Sequence, residues 1–212
     1  MNDSKLVFLL WGGPRGTELG RALRDPGLHT RLAAAGARRA QLDLVDDRPG
    51  GDLRRQSFER PVRAVVAVWT TGPPAAVALL LRGVADEVAG WRVEERRLLE
   101  PPPYAEATTV VAIVRRADDP TASADDPWLD RWLAHGATLA AADPAVLGHV
   151  QDVVLGAVTR HAPPVHAFVE ETTEGGDADP QRLDRLVESV ATLGGDRELD
   201  LVPTTRCLLD LG

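Results

Sequence analysis

The feature that most constrains the fold is one succession of elements that occurs twice along the chain. The first apolar run, Lys5 to Trp11, is short and continuous, as buried strands are. A helix is expected from near Thr17 to Ala35. Asp25-Pro26-Gly27 should break or kink it, because proline removes a helical hydrogen bond, and Gly36 is a fit C-terminal stop. Arg39 to Val45 partly alternates, like a half-buried strand. The polar, glycine-rich stretch from Asp46 to Arg60 reads as a loop. Val62 to Trp69 is a β-branched run and a strand. Gly72-Pro73-Pro74 turns the chain into a short apolar helix, Ala75 to Arg82, and Trp91 to Leu99 reads as a strand. Pro101-Pro102-Pro103 then forms an extended spacer.

Beyond the spacer the order returns. Thr109 to Arg115 is a strand. Asp126-Pro127 starts a helix that runs from Trp128 to about Ala142. Strands follow within Ala145 to Val158 and from Pro164 to Thr172. Asp179-Pro180 starts another helix, which ends near Gly194-Gly195. Leu199 to Leu211 is the last strand, with Pro203 pointing to a bulge or an edge. The order is β-α-β-β-α-β, twice, with a period of about 105 residues.

Residues repeat as well as pattern. Gln41-Leu42-Asp43-Leu44-Val45 answers Val150-Gln151-Asp152-Val153-Val154, and Pro61-Val62-Arg63-Ala64 answers Pro164-Val165-His166-Ala167. His29 answers His135, and Arg97-Leu98-Leu99-Glu100 answers Cys207-Leu208-Leu209-Asp210. Two ferredoxin-like units are therefore expected, residues 1–100 and 105–212. Each has one apolar sheet face left to cover, and packing the two faces together covers both. The expected fold is α+β: antiparallel sheets of tandem repeats closing into an intrachain, pseudo-dimeric α/β barrel.

Composition narrows the function. The net charge of −8 is the wrong sign for a phosphate-binding surface, so nucleic acid is not an expected partner. No run of about 18 apolar residues exists, so no membrane span is expected. The opening residues read as a first strand and not a signal peptide. The single cysteine, Cys207, rules out an intrachain disulfide and sits among leucines as an inert core thiol. A cytoplasmic protein is expected. Lys5 is the only lysine, an arginine bias that reads as codon usage.

The second half carries a family resemblance. It shows Trp128-x-x-x-Trp132-x-x-His135-Gly136, then Leu147-Gly148-His149-Val150-Gln151-Asp152-Val153-Val154. Ala162-Pro163-Pro164, Phe168-Val169-Glu170-Glu171 and Asp200-Leu201-Val202-Pro203-Thr204-Thr205 follow. The chain resembles a two-repeat EthD-domain protein of the dimeric α/β-barrel superfamily. His149 and Asp152 stand where the family pattern Gly-Tyr-Val-Gln-Asn has tyrosine and asparagine. The resemblance implies the fold. Related barrels host oxygenases, dehydratases, cyclases, haem enzymes and proteins without known activity.

His135 and His149 are the sharpest candidates for chemistry, because imidazole moves protons near neutral pH. His135 lies three residues after Trp132, so the two can share a helical face. His149 and Gln151 share one strand face. If that face lines the barrel interior, a base and an amide meet a phenolic or carbonyl ligand. The plainer alternative is a packing or helix-end histidine. Asp152 and Glu170 are candidate partners, with Glu171 on the opposite strand face from Glu170. Trp11 and Trp69 end neighbouring strands and either line the barrel mouth or plug the core.

No Cys-x-x-Cys or His-Glu-x-x-His spacing occurs, and His161 and His166 are held apart by prolines, so no metal and no cofactor are expected. Gly12 to Gly20 matches neither nucleotide-binding fingerprint and reads as a turn. The expected function is a small-molecule enzyme acting on a hydrophobic, aromatic or polyketide-like substrate in the barrel cavity by dehydration, cyclisation or cofactor-free oxygenation. His149 and His135 would shuttle protons with Asp152 assisting, and Gln151, Trp132, Glu170, Trp11 and Trp69 would bind substrate. The alternative is a non-catalytic ligand-binding or accessory protein. Either a monomer or a homodimer fits.

Overall fold

The computed structural model describes residues 3–12, 16–45, 57–102, 106–116, 128–173, 181, 184, 187–188 and 197–212. Among the described residues are eight strands: β1 (Ser4–Trp11), β2 (Ala37–Leu44), β3 (Ala64–Thr70), β4 (Glu87–Leu99), β5 (Glu106–Arg116), β6 (Val146–Ala157), β7 (Val165–Thr173) and β8 (Arg197–Asp210). Helices α1 (Gly16–Leu23) and α2 (Pro26–Ala34) join β1 to β2, and α3 (Pro74–Arg82) joins β3 to β4. Helix α4 (Trp128–Ala142) joins β5 to β6. Gln181, Asp184, Val187 and Glu188, between β7 and β8, are helical. Asp126-Pro127, Asp179-Pro180, Gly194-Gly195 and most of the loop expected at 46–60 lie outside the described residues.

The expected break in the first helix is real. Asp25 caps α2 by accepting a hydrogen bond from the Leu28 backbone N–H (3.1 Å), and Pro26 takes the first turn, where no N–H is needed.

The strands close into one antiparallel barrel, ordered β1-β3-β2-β8-β5-β7-β6-β4. Within it the first four strands run β4-β1-β3-β2 and the last four β8-β5-β7-β6, the same relative order. The closing seams are β2–β8 and β4–β6. Closure removes free sheet edges. Pro203 sits opposite Val110 in an unshifted β5–β8 ladder, so β8 has no bulge there; the described β2–β8 ladder ends nearby, at Leu44–Thr205.

Alternation along the strands sorts the core into three parts. Leu6, Phe8 and Leu10 of β1 face outward, under the leucines of α1 and α2 and under α3. Gly90 permits this packing, because a Cβ there would overlap the Phe8 ring. Val110, Ala112 and Val114 of β5 likewise face outward, against Trp132 of α4. The inward residues Val7, Leu9, Val65, Ala67, Trp91, Val111, Ile113, Phe168 and Val202 form an apolar plug across the middle of the barrel. Trp91 and Phe168 meet there edge to face at 5.5 Å. Phe8 belongs to the outer face.

Register corrects one repeat match. Lys5 pairs with Val93, and the matching Thr109 pairs with Thr204. Counting from those pairs, Arg97 corresponds to Leu208 and not to Cys207. A one-residue slip exchanges the two faces.

Candidate functional site

The predicted residues, Trp11 apart, divide between two places on opposite faces of the same sheet. His149 and Gln151 do share a face of β6, but it is the outer face, beneath α4. Val150 and Asp152, on the alternate face, point into the barrel. The expectation that His149 and Gln151 line the barrel interior is therefore corrected, and Asp152 cannot assist His149. Trp132 and His135 of α4 lie on the same side of the sheet as His149. Trp11 and Trp69 do not flank one mouth. β1 and β3 are antiparallel, so Trp69 lies opposite Lys5 and Trp11 lies at the far end of β1, about 20 Å away.

Beneath α4, His149 is 1% exposed and its Nδ1 lies 3.1 Å from Glu171 Oε1. With Nδ1–H donating to that carboxylate, Nε2 carries the free lone pair. Gln151 Nε2 donates to the Trp132 carbonyl at 3.3 Å. A Cβ at Gly136 would overlap that amide, so the absent side chain makes room for Gln151. His149 Nε2, His135 Nε2 and Gln151 Oε1 are buried with no hydrogen-bond partner in the structure. Each such atom costs about 1–3 kcal/mol unless something enters to satisfy it.

The repeat mate of His135 behaves differently. His29 Nε2 bonds the Leu23 carbonyl at 2.8 Å, which ties α2 to the end of α1.

The second place is one end of the barrel interior. Lys5 Nζ reaches Asp152 Oδ2 at 2.7 Å, Glu170 Oε1 at 3.0 Å and Glu95 Oε2 at 4.0 Å. Gln41 Nε2 donates to Glu170 Oε2 (2.6 Å) and to Asp43 Oδ2 (2.8 Å). Trp69 Nε1 donates to Glu95 Oε2 at 2.6 Å. Arg206 lies opposite Asp43 across one seam, and Glu95 lies opposite Asp152 across the other. A pocket of about 160 Å³ opens here, beside the part-exposed Arg97 and Glu100.

Burial sets the proton affinities. Burial first, then the nearby Glu170, push the Asp43 carboxyl up to about 8. Burial also raises Asp152 to about 7, against the pull of Lys5. Glu170 is held below the ordinary glutamate value, because Lys5 and Gln41 outweigh its burial. Burial would lower the Lys5 ammonium, yet Glu170 and Asp152 hold it above the ordinary lysine value.

The opposite barrel end carries a polar cluster and an aromatic pair. Arg115 Nε donates to Asp200 Oδ2 at 2.7 Å, and Ser57 Oγ donates to Asp200 Oδ1 at 2.8 Å. Phe58 packs edge to face on Trp11 at 5.5 Å. His161 and His166 are exposed, and among the described residues no three His, Cys, Asp or Glu are grouped to hold a metal. No described helix is long and apolar enough to cross a membrane.

Sequence reasoning missed Lys5, Gln41, Asp43, Glu95 and Arg206 at the barrel end. A signal existed. The one lysine of a chain that otherwise uses arginine stands in a buried strand, and its reading as codon usage passed over the chemistry. Glu171 was set on the opposite strand face from Glu170, as the structure has it, but was not joined to His149.

No family model and no curated protein matches this chain. Solved structures do. An anthrone oxidase-like protein matches with a TM-score of 0.59 at 13% identity, covering 100% of this chain and 94% of its own. A proposed monooxygenase from Lactobacillus acidophilus NCFM matches with a TM-score of 0.50 at 8% identity, covering 100% and 98%. At these identities the likeness is one of fold, an α/β barrel.

Proposed function

We propose that the chain is a small-molecule enzyme of the oxygenase type, with its reacting site between α4 and the outer face of β6 and β7. One observation carries this reading. His149 is oriented through Nδ1 by Glu171 and keeps Nε2 buried and unpartnered, the arrangement of a general base with its orienting carboxylate. The structural neighbours named for oxidation and oxygenation support the reaction type.

The substrate is an aromatic or polyketide-like ketone or phenol with an acidic hydrogen, of the anthrone kind. His149 Nε2 removes a proton from its ring CH₂. The resulting carbanion reduces dioxygen and gives a hydroperoxide at that carbon. Loss of water then leaves a second carbonyl. The balance is CH₂ plus O₂ to C=O plus H₂O, and it needs no bound cofactor. In this reading His135 donates to the substrate oxygen as charge develops, and Gln151 aligns it. Because His149 is 1% exposed, substrate reaches it only when α4 moves away from the sheet. This enzyme is a fused pair of ferredoxin-like units of EthD type in which only the second unit carries the reacting site.

The test is oxygen uptake by the purified protein with anthrone-type tricyclic ketones, alongside His149→Gln and Glu171→Gln. One O₂ per substrate is expected, with kcat about 10²–10⁴-fold lower in His149→Gln. Undiminished turnover in that variant sinks the mechanism. Saturable binding without oxygen uptake would make the chain a ligand-binding protein.

A further inference from the structure

We propose that the polar end of the barrel is a second binding site, separate from the α4-covered histidines, for a small carboxylate with an apolar body. Strand β6 divides the two places, with Val150 on the pocket side and His149 on the other. Four cations (Lys5, Arg39, Arg97 and Arg206) and three carboxylates (Glu95, Glu100 and Glu170) line the pocket, with Asp43 and Asp152 behind them, so the choice of ligand falls to the donors left unused.

Two of those cations are committed. Lys5 is surrounded by Asp152, Glu170 and Glu95. Arg97 is held by Glu95 and by Glu100, the latter at 2.7 Å. Arg39 is not committed. Its guanidinium lies 3.7 Å from the centre of the Trp69 ring, and no described residue accepts a hydrogen bond from it. Burial, then the like charge of Arg97, push the Arg39 proton affinity down, partly offset by Glu95, Glu100 and Glu170. An anion between the two relieves that repulsion.

Deeper in the wall, Arg206 is 1% exposed. Its Nη1 donates to Thr172 Oγ1 (3.2 Å) and its Nη2 to the Pro102 carbonyl (2.7 Å), while Nε is buried without a partner. The unused groups on the lining are therefore a planar guanidinium fork and one buried N–H, all donors. That set matches the two coplanar oxygens of a carboxylate.

Pro101, Pro102, Val150 and Leu208 give the same pocket an apolar side. Its volume of about 160 Å³ has room for a single ring or a short chain. The ligand class differs from the substrate proposed above in carrying a carboxylate.

Benzoate and its neutral isostere benzamide are the probes. Their binding is followed by calorimetric titration and thermal shift on wild type, Arg39→Gln, Arg39→Lys and His149→Gln. Benzoate is expected to bind at millimolar concentration and raise Tm, and benzamide is not. Arg39→Gln should weaken benzoate by about tenfold or more, Arg39→Lys less, and His149→Gln not at all. Arg39 is part-exposed, and circular dichroism checks that its variants fold. Equal binding of benzamide, benzoate binding unchanged in Arg39→Gln, or no saturation at tens of millimolar overturns the proposal. Loss in His149→Gln but not in Arg39→Gln also overturns it and moves the ligand beneath α4, where it would support the enzyme site.

Discussion

Beneath α1, α2 and α3, the outer face of β1–β4 is closed by Leu6, Phe8, Leu10, Ala40, Leu42, Val66 and Val68 against Leu19, Leu23, Leu28 and Leu32. Beneath α4, the outer face of β5–β8 sets Val110, Ala112 and Val169 beside His149, Gln151 and Glu171. The ladders put these residues in matching places. Ala40 pairs with Val68 as His149 pairs with Glu171, and Leu42 pairs with Val66 as Gln151 pairs with Val169. Where α2 buries Leu28 and Leu32 one turn apart, α4 buries Trp132 and Gly136. One interface stabilises the barrel by excluding water, at about 1.5–3 kcal/mol for each buried leucine. The other leaves buried polar atoms unsatisfied at some cost. In the proposed reading, one face of the barrel carries stability while the other carries chemistry.

The largest expected effect tests the leucine face. Phe8→Ala should remove about 3–5 kcal/mol in urea unfolding, because the ring is fully buried and lies directly over Gly90. A loss under about 1 kcal/mol would mean this face does not carry the barrel, and the contrast with α4 would fail.

A second experiment converts the polar face into the apolar one. His149→Ala and Glu171→Val recreate the Ala40–Val68 pair. Each single change takes a buried polar partner from the other residue and should cost about 1–3 kcal/mol, whereas the double variant should return to wild-type stability or above it. Turnover should be lost in all three. A double variant as unstable as the summed singles would make the pair a structural staple and remove the ground for calling this face functional.

Much of this was legible in the sequence. Strand and helix order followed from apolar runs and from punctuation such as Asp25-Pro26, because those signals are local. That Trp132 and His135 share a helical face, and that His149 and Gln151 share a strand face, followed from helical and strand periods; that the two pairs meet on one side of the sheet did not. Which face of β6 looks inward did not follow, since alternation fixes only that residues 149 and 151 share a face. That choice was made by the apolar plug, which takes residues from both halves. Lys5, Asp43, Asp152 and Glu170 are far apart in sequence, and only barrel closure brings them together. The register offset at Arg97 shows the same limit: residue likeness aligns repeats, and ladder pairing decides their faces.

The inner face sharpens the comparison from the other side, because there the matching residues converge. Asp43 of β2 and Asp152 of β6 both enter the barrel end, Asp43 against Gln41 and Asp152 against Lys5. Both carboxyls hold protons in the folded protein well above the ordinary aspartate value of 3.8, Asp43 to about 8 and Asp152 to about 7. The unfolded chain releases those protons near its ordinary value, so their contribution is full at low pH. It is lost as pH rises toward the folded values. Glu170 and Glu95, held low behind their burial by Lys5, act oppositely and lose stability as pH falls below the ordinary glutamate range. Tm should therefore peak on the acid side of neutrality and decline toward about pH 8. Asp43→Asn keeps the shape without the charge and should flatten that decline by several degrees. Asp152→Asn should instead lower Tm, because it takes a partner from the buried Lys5 ammonium. A wild-type Tm that rises into the alkaline range, or an Asp43→Asn profile parallel to wild type, would show that the two aspartates are not the matched proton-holding pair their places in β2 and β6 imply.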